Sequence, residues 1–387
     1  MTETARGTEK VKLSSIQVAR GVAALAVVAF HMLATQPKYF SGTDVLPEAF
    51  TFGLSGVDLF FVISGFVMVL TTRGRHGRAR EVGKFVWNRF FRIYPTYWVY
   101  YLALLPVFFL LPGFINSSQG GKVDLFASFF LLPSETLPLL LVAWTLTIEL
   151  WFYVVFSLIL FLPERLIVPA LAVWLVLLVV LNWNGPFGES PWLAVPGHAL
   201  AIEFVFGGFV ALLFRRIPPI GSLVLAVAGF GVLATVGWAT IMSDTAGEGL
   251  QRPFTLGVGY ALLLLAATSF EFRRSIGPVA RLSILGDMSY SVYLAHVLVL
   301  AVTGRVWLAV SGPLAGNPVA VTAWWIVTVV AVLGVGYLSY RLIERPVMKL
   351  SRTWRIRVFH EKPHVVSADP AVPNDPVEPL ETSDAPR

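Results

Sequence analysis

The chain has 387 residues, of which 56% are hydrophobic and only 13% are charged, and its formal net charge is +6. With a mean hydropathy of +0.73, it has too little polar surface to cover a soluble globule of this length. The composition therefore excludes a water-soluble globular protein and indicates an integral membrane protein. Cysteine is absent, which excludes a disulfide scaffold and a thiolate nucleophile, and no metal site is expected.

Ten runs of the sequence are apolar enough to span a bilayer, which requires roughly 20 mostly apolar residues per helix. They lie at residues 15–35, 50–70, 93–112, 139–162, 166–183, 196–214, 220–241, 254–270, 283–303 and 319–341. Because the runs are long and continuous rather than short and alternating, they predict an all-α fold and disfavour a β-barrel. The first run is longer than the apolar core of a signal peptide, so we expect it to be retained. The predicted fold is a polytopic bundle of about ten transmembrane helices.

The basic residues predict how this bundle is oriented. With a cytoplasmic N-terminus, ten spans also return the C-terminus to the cytoplasm. Of the 29 Lys and Arg residues, 25 then lie in cytoplasmic segments or at helix ends facing them, as the positive-inside rule requires. The four that fall outside are Lys38, Lys122, Arg252 and Arg305. The positive charge therefore indicates membrane topology, and no binding of nucleic acid is expected.

One membrane domain is expected over residues 14–350. A short cytoplasmic segment, 1–13, precedes it, and a cytoplasmic tail, 351–387, follows it. The tail begins with the basic stretch "RTWRIRVFHEK", which suits the anionic inner leaflet of the bilayer. Its last 25 or so residues are rich in proline and acids and poor in aromatics, which predicts disorder.

Ionisable residues inside the spans are costly in hydrocarbon and are therefore candidates for function. They are Arg20, His31, Asp58, Glu149, Glu203, Asp287 and His296. Arg20 and His31 are eleven residues apart, so they share a helix face and lie roughly 16 Å apart along its axis. Asp58, Glu149 and His296 lie deep enough to reach the level of His31. An imidazole beside a carboxylate suits general-base chemistry, since the acid fixes the tautomer and stabilises the imidazolium.

Structural interpretations of the same residues remain open. Arg20 also fits a positive-inside anchor, and a lone intramembrane histidine also fits a packing residue or part of a proton path. Asp58 and Glu149 also fit pairs with basic groups that hold helices together. Arg89 and Arg92, three residues apart in "NRFFRIYP", suit bidentate recognition of phosphate, but they also suit anionic lipid headgroups.

Six blocks of the sequence, taken in order, resemble the acyltransferase-3 family of bacterial membrane O-acyltransferases. They are "IQVARGVAALAVVAFH", "GVDLFFVISGF", "KFVWNRFFRIYPTYW", "WTLTIELWFY", "GDMSYSVYLAH" and "RLIERP". Members of this family decorate exopolysaccharides, lipopolysaccharide O-antigens, nodulation factors and some macrolides. The resemblance covers roughly residues 14–350. The chain looks like the stand-alone form, because its acidic tail is too short for the hydrolase-like domain that some relatives carry.

The resemblance implies roles for several residues. The family's arginine and histidine, separated by ten residues, fall on Arg20 and His31, and His31 is the implied catalytic residue. The family's Arg-x-x-Arg, which is implicated in engaging the acyl-CoA donor, falls on Arg89 and Arg92. The acidic residue of the "WTLTIE" block falls on Glu149.

We therefore expect a membrane O-acyltransferase that moves an acyl group, acetyl in the first instance, from cytoplasmic acyl-CoA to a hydroxyl of a carbohydrate acceptor. The expected location is the bacterial inner membrane. Acyl-CoA is a co-substrate, and no resident cofactor is expected. The alternative is a proton-coupled transporter or a lipid-linked sugar flippase, although the sequence shows no inverted repeat of the kind that transporters often carry.

The predicted site has a donor-binding part and a catalytic part. His31 acts as a general base on the acceptor hydroxyl or forms an acyl-imidazole, and Glu149 or Asp58 orients its ring. His296 and Asp287 are further candidates without an assigned role. The donor-binding residues expected at the basic inner mouth are Arg20, Arg89 and Arg92.

Overall fold

The structure is a computed structural model that describes residues 13–40, 42–115, 121–243 and 249–360. These residues form helices and connecting segments without any β-strand, so the all-α prediction is confirmed. The α-helices are α1 Ser14–Tyr39, α2 Gly56–Thr72, α3 Ala79–Leu110, α4 Leu125–Phe130, α5 Trp144–Phe161, α6 Ile167–Leu181, α7 Pro191–Ala194, α8 Ala201–Leu213, α9 Pro219–Ser243, α10 Val258–Arg273, α11 Ser283–Asp287, α12 Ser289–Val310, α13 Pro318–Ser339 and α14 Arg345–Val358.

Within the described residues, nine helical stretches are long and apolar enough to cross a membrane. They contain α1, α2, α3, α5, α6, α9, α10, α12 and the continuous run from α13 to α14. Apolar side chains point outward on the peripheral helices, where Val173, Val227 and Val330 are 64–68% exposed. Only hydrocarbon accommodates such a surface over whole helices. The chain is therefore a multi-pass membrane protein.

The tenth predicted run, 196–214, forms the shorter helix α8. Its 13 residues correspond to a length of about 20 Å. The helix is shorter than the predicted run because the run begins with Pro196 and Gly197 and does not become helical until Ala201. One end of α8 places Glu203 beside Asp58 near the start of α2. At the other end, Arg73, just past α2, donates to the carbonyl of Ala211 with a distance of 2.9 Å. All ten predicted runs are thus helical, and α8 lies along most of α2.

The centre of the bundle depends on glycines that let helix backbones touch. A Cβ atom added to Gly65 of α2 would lie 1.9 Å from the carbonyl oxygen of Phe204 in α8, and one added to Gly207 would lie 1.9 Å from that of Val62. A side chain of any size would push these helices apart. Such close contacts between small residues are the main source of packing between helices in lipid.

Helix α3 is the longest single helix, and it begins at Ala79 rather than at residue 93 as predicted. Its 32 residues correspond to about 48 Å, well beyond the roughly 30 Å of a hydrocarbon core. The additional turns carry Asn88, which accepts from Arg355 of α14 at 2.8 Å. Helix α14 continues past residue 350, the predicted end of the membrane domain. The residues predicted to be disordered lie outside those that the structure describes.

The segment between α3 and α5 folds back along α3 instead of extending away as a loop. Four aromatic side chains of α3 donate hydrogen bonds to carbonyl groups of α4. The donors are Tyr94, Tyr97, Trp98 and Tyr101, and their partners are Phe130, Ser128, Phe129 and Leu125. A short helix leaves its last carbonyls unpaired, so these bonds let α4 sit against a membrane-spanning helix.

Two π-helical turns interrupt the bundle, at Pro253–Gly257 before α10 and at Tyr340–Glu344 after α13. Each lies next to a buried pair of opposite charges. Arg252 immediately precedes the first turn, and Glu344 ends the second. Turns of this kind are rare and occur frequently at functional sites.

Candidate active site

His31 lies in α1, partly buried, with its ring against helix α12. Its Nδ1 is 3.0 Å from the carbonyl oxygen of Val27, one turn earlier in the same helix. The same atom is 3.3 Å from Nε2 of His296, and the two ring centroids are 4.9 Å apart. The two histidines, predicted separately from the sequence, therefore form one pair.

His296 is the buried member of the pair, with no exposed surface. Its Nδ1 is 3.3 Å from the carbonyl oxygen of Val292, so both of its ring nitrogens have a partner. The ring of Tyr293 lies 5.7 Å away, centroid to centroid. His296 is thus fixed in orientation by its own helix and by its neighbours.

A cavity of about 120 Å³ opens among helices α1, α2, α3, α5 and α12. Tyr293 contributes to its wall and also contacts His296, so one tyrosine ring links the cavity to the histidine pair. His31 itself does not line the cavity. The polar side chains around it are Arg20, Ser64, Arg89, Arg92, Thr145, Glu149, Tyr153, Ser289, Tyr290 and Tyr293.

The three predicted donor-binding arginines, Arg20, Arg89 and Arg92, all line this cavity. Arg92 pairs with Glu344, yet its Nη2 is buried without a partner in the described part of the chain, as is Nε of Arg89. Buried polar groups in proteins are nearly always hydrogen-bonded. Unused guanidinium donors that border a cavity are suited to bind an anion such as phosphate.

Aromatic rings hold these guanidinium groups in place. The guanidinium carbon of Arg89 lies 5.5 Å from the ring centre of Tyr153, and that of Arg92 lies 5.4 Å from that of Tyr290. Cation–π contacts favour the charged group without using its N–H donors. Nε of Arg89 and Nη2 of Arg92 therefore remain available for a ligand in the plane of the guanidinium.

Glu149 also lines the cavity, but the described structure gives it no hydrogen bond to His31. Its Oε1 accepts from the hydroxyl of Ser64 at 2.6 Å and from the hydroxyl of Tyr153 at 2.5 Å. Glu149 thus shares the cavity wall with the three arginines. We expected Glu149 to orient the imidazole of His31. In the described structure the ring of His31 contacts His296 instead.

Asp58 does not reach His31 either, because it forms a bidentate pair with Arg252. Both distances, Nε to Oδ1 and Nη2 to Oδ2, are 2.8 Å. Glu203, fully buried, lies beside the pair. The structure thus matches the alternative interpretation of Asp58 as a helix-pairing residue. It also shows that Arg252, assigned to the outside by the charge count, reaches back into the bundle.

Asp287 ends α11 and is a charged neighbour of Arg20, but it does not line the cavity. Arg20 itself donates to the side-chain oxygen of Gln17 at 3.2 Å. Asp287 therefore lies near the arginines of the cavity through its interaction with Arg20. No group of three or more metal-ligating side chains occurs among the residues that the structure describes.

The sequence did not single out Glu344, which is 1% exposed and pairs with Arg92. It also accepts from the hydroxyl of Ser291 at 2.6 Å. In the sequence, Glu344 stands between Arg341 and Arg345 at the end of the last span, where charges are ordinary. The "RLIERP" block contains it, and the proline after Arg345 was the only local sign of an unusual helix end.

These features define a multi-pass membrane protein with an arginine-lined cavity beside a buried histidine pair. The chain belongs to the acyltransferase-3 family, whose model, described as an acyltransferase domain, matches residues 13–341. The protein is therefore a membrane-bound O-acyltransferase. The family inferred from the ordered sequence blocks is confirmed.

Three relatives illustrate the range of the family. The exopolysaccharide production protein ExoZ of Rhizobium meliloti is 29% identical over 333 residues, which cover 82% of this chain and 96% of the relative. The acyltransferase MdmB of Streptomyces mycarofaciens is 28% identical over 415 residues, covering 95% and 97%. The peptidoglycan O-acetyltransferase OatA of Listeria monocytogenes is 26% identical over 400 residues, covering 90% and 58%. No solved structure matches the chain significantly.

Proposed function

We propose that the protein transfers an acetyl group from acetyl-CoA, bound from the cytoplasm, to a hydroxyl of a carbohydrate acceptor in the bacterial cytoplasmic membrane. The observation that carries this proposal is the cavity with three arginines, two of which keep buried N–H donors without a partner. The phosphates of CoA are the anions that match these donors. The positive-inside count supports a cytoplasmic position for the arginines, on the side where acetyl-CoA is made.

His31 supplies the catalytic nitrogen in this proposal. It follows Arg20 on the same helix by eleven residues, or roughly 16 Å along the axis. The flexible arm of CoA spans this distance, so the phosphates lie near the arginines while the thioester lies near His31. Among the described residues, no hydrogen bond uses Nε2 of His31, which leaves that atom free to react.

The reaction itself follows from this free nitrogen. As a general base, Nε2 takes the proton of the acceptor hydroxyl while the oxygen attacks the thioester carbonyl. The C–S bond then breaks, and the CoA thiolate receives the proton. General-base assistance of this kind is worth roughly 100- to 10,000-fold in rate. Formation of an acyl-imidazole on the same nitrogen, followed by transfer to the hydroxyl, needs the same geometry.

Two observations support the choice of donor and acceptor. The cavity and the guanidinium donors without a partner among the described residues suit the phosphates of a CoA thioester. Two relatives have names that refer to carbohydrate polymers, one to production of exopolysaccharide and one to O-acetylation of peptidoglycan. Acetyl and a carbohydrate hydroxyl are therefore the proposed substrates.

The test uses membranes that contain either the wild type or the His31→Ala variant, incubated with radiolabelled acetyl-CoA and cell-envelope glycans. We expect label in carbohydrate with the wild type and none with the variant. The His198→Ala variant is the matched control, since His198 is a histidine outside the cavity and bonds only to the local backbone in the described structure. Equal labelling with His31→Ala would contradict the catalytic assignment. Absence of label with every protein would direct attention to transport.

A further inference from the structure

The backbone contacts of the histidine pair favour one tautomer for each ring. Nδ1 of His31 faces the carbonyl oxygen of Val27, and Nδ1 of His296 faces that of Val292. A carbonyl oxygen only accepts hydrogen bonds, and a neutral imidazole has one N–H. For neutral rings, these contacts assign the proton of each ring to Nδ1 and a lone pair to Nε2.

This assignment makes the contact between the rings a hydrogen bond with a defined direction. Nδ1–H of His31 points to Val27 and also to Nε2 of His296, which is 3.3 Å away and holds a lone pair. His296 is therefore the acceptor and His31 the donor. The nitrogen left with an unengaged lone pair in the described structure is Nε2 of His31, on the partly exposed member of the pair.

An imidazole that accepts a proton needs a neighbour that stabilises the resulting cation, and a carboxylate commonly fills this role. In the described residues no carboxylate bonds to His31, because Glu149 bonds to Ser64 and Tyr153 while Asp58 bonds to Arg252. His296 occupies the position of the missing carboxylate. Since two cations this close repel each other, His296 stays neutral while His31 carries the charge.

We propose that His296 is a positioning residue that accepts Nδ1–H of His31, supports, together with the carbonyl of Val27, the tautomer with a free Nε2, and stabilises the charge that develops on the ring of His31. The proposal rests on the proposed function of His31. The hydrogen bond of one ring nitrogen determines which form the other takes. His296 itself does not touch the substrate.

Two variants of His296 separate this role from packing. His296→Leu has a similar volume and no acceptor, and Val27 still anchors His31. His296→Gln places an amide oxygen near the former Nε2, where it accepts the same hydrogen bond. We expect His296→Leu to lower kcat by about 10- to 100-fold, within the range of general-base contributions, without changing KM for acetyl-CoA. His296→Gln should recover most of that loss.

Nuclear magnetic resonance of ¹⁵N-histidine-labelled protein in lipid nanodiscs provides a second readout. The wild type and His296→Gln should show His31 in the Nδ1–H tautomer, with the signal assigned by its loss in His31→Gln. In His296→Leu the ¹⁵N signal of Nδ1 should shift, because its N–H then keeps the carbonyl of Val27 but loses Nε2 of His296 as an acceptor. His198→Leu is the matched control and should leave both kcat and the His31 signal unchanged.

The outcomes separate failure of this inference from failure of the proposed function. If His31→Ala is inactive but His296→Leu turns over at the wild-type rate, the positioning role is wrong and the function stands. Equal losses of kcat in the Leu and Gln variants, without a change in the His31 signal, would also overturn the role. If His31→Ala is active, the proposed function itself fails.

Discussion

Two buried arginine–carboxylate pairs occur in this membrane protein, and on several measures they are alike. Arg92 pairs with Glu344, and Arg252 pairs with Asp58. Both arginine side chains are 16% exposed, and the carboxylates are 1% and 0% exposed. Each pair lies next to a π-helical turn. Neither burial, partner chemistry nor local helix geometry distinguishes the two.

The hydrogen bonds distinguish them. Arg252 uses Nε and Nη2 on the two oxygens of Asp58. Arg92 keeps its Nη2 without a partner in the described structure and borders a cavity, beside Arg89. A buried charge therefore indicates a binding site when its donors remain unused and face open space. A buried charge whose partner satisfies it joins helices.

The largest expected effect comes from breaking the satisfied pair. Arg252→Met leaves Asp58 as an uncompensated buried charge, which typically destabilises a protein by about 3–5 kcal/mol. We expect a large fall in the thermal unfolding temperature of the purified protein in detergent micelles. The amount of folded protein in membranes should fall in parallel.

The double variant Asp58→Val with Arg252→Met tests the interpretation. Replacing both charges by apolar groups of suitable size is often nearly neutral, so most of the stability and the transfer activity should return. A double variant that is stable but inactive would show that Asp58 has the catalytic role predicted from the sequence. The interpretation of the Asp58–Arg252 pair as one that only joins helices would then be wrong.

A smaller effect is expected from Arg89→Gln at the cavity. A hydrogen bond to a charged group contributes roughly 1.5–3 kcal/mol, which corresponds to an increase of about 10- to 100-fold in KM for acetyl-CoA. The kcat at saturating donor and the unfolding temperature should change little, since Arg89 has no ion pair among the described residues. Steady-state kinetics over a range of donor concentrations measures both parameters.

Arg281→Gln is the matched control for this variant. Arg281 is exposed and, by the charge count, lies on the same side of the membrane. Its replacement should leave KM unchanged. If Arg89→Gln also leaves KM unchanged, Arg89 contacts lipid headgroups rather than the donor, which is the alternative that the sequence left open.

The sequence predicts the helices well because each apolar run must become a helix in hydrocarbon. It predicts less well where packing decides. Helix α3 begins at Ala79, since its polar first turns are held by α14 rather than by lipid. The segment with α4 is too short to register as a span, and the aromatic donors of α3 help to keep it against the bundle.

The site shows the same division. Spacing alone places Arg20 and His31 on one face, because both belong to one helix. The partner of His31 depends on how α12 packs against α1. The sequence therefore predicted Glu149 or Asp58 as this partner, whereas in the structure it is His296. Glu344 was hidden among charges at a helix end, where its burial becomes visible only when α3 brings Arg92 beside it.

The smallest expected effect compares one chemical change in the two regions. Ser64→Ala removes one of the two hydrogen bonds that Glu149 accepts at the cavity. A net contribution of about 1 kcal/mol predicts a fall of roughly fivefold in kcat/KM for acetyl-CoA. The unfolding temperature should be nearly unchanged, because Oε1 of Glu149 keeps its hydrogen bond from Tyr153 and Glu149 borders the cavity.

Ser55→Ala is its counterpart near Asp58, where the hydroxyl of Ser55 bonds to that of Tyr260 at 2.6 Å. Here both partners are buried, so the lost bond should lower the unfolding temperature and leave kcat/KM per folded molecule unchanged. Opposite results, with stability lost at Ser64 and catalysis lost at Ser55, would reverse the assignment of the two regions. Both variants remove the same hydroxyl group from the same part of the chain, at or next to α2, so the chemical change is the same in both. A difference between them would arise from the cavity that only one of them faces.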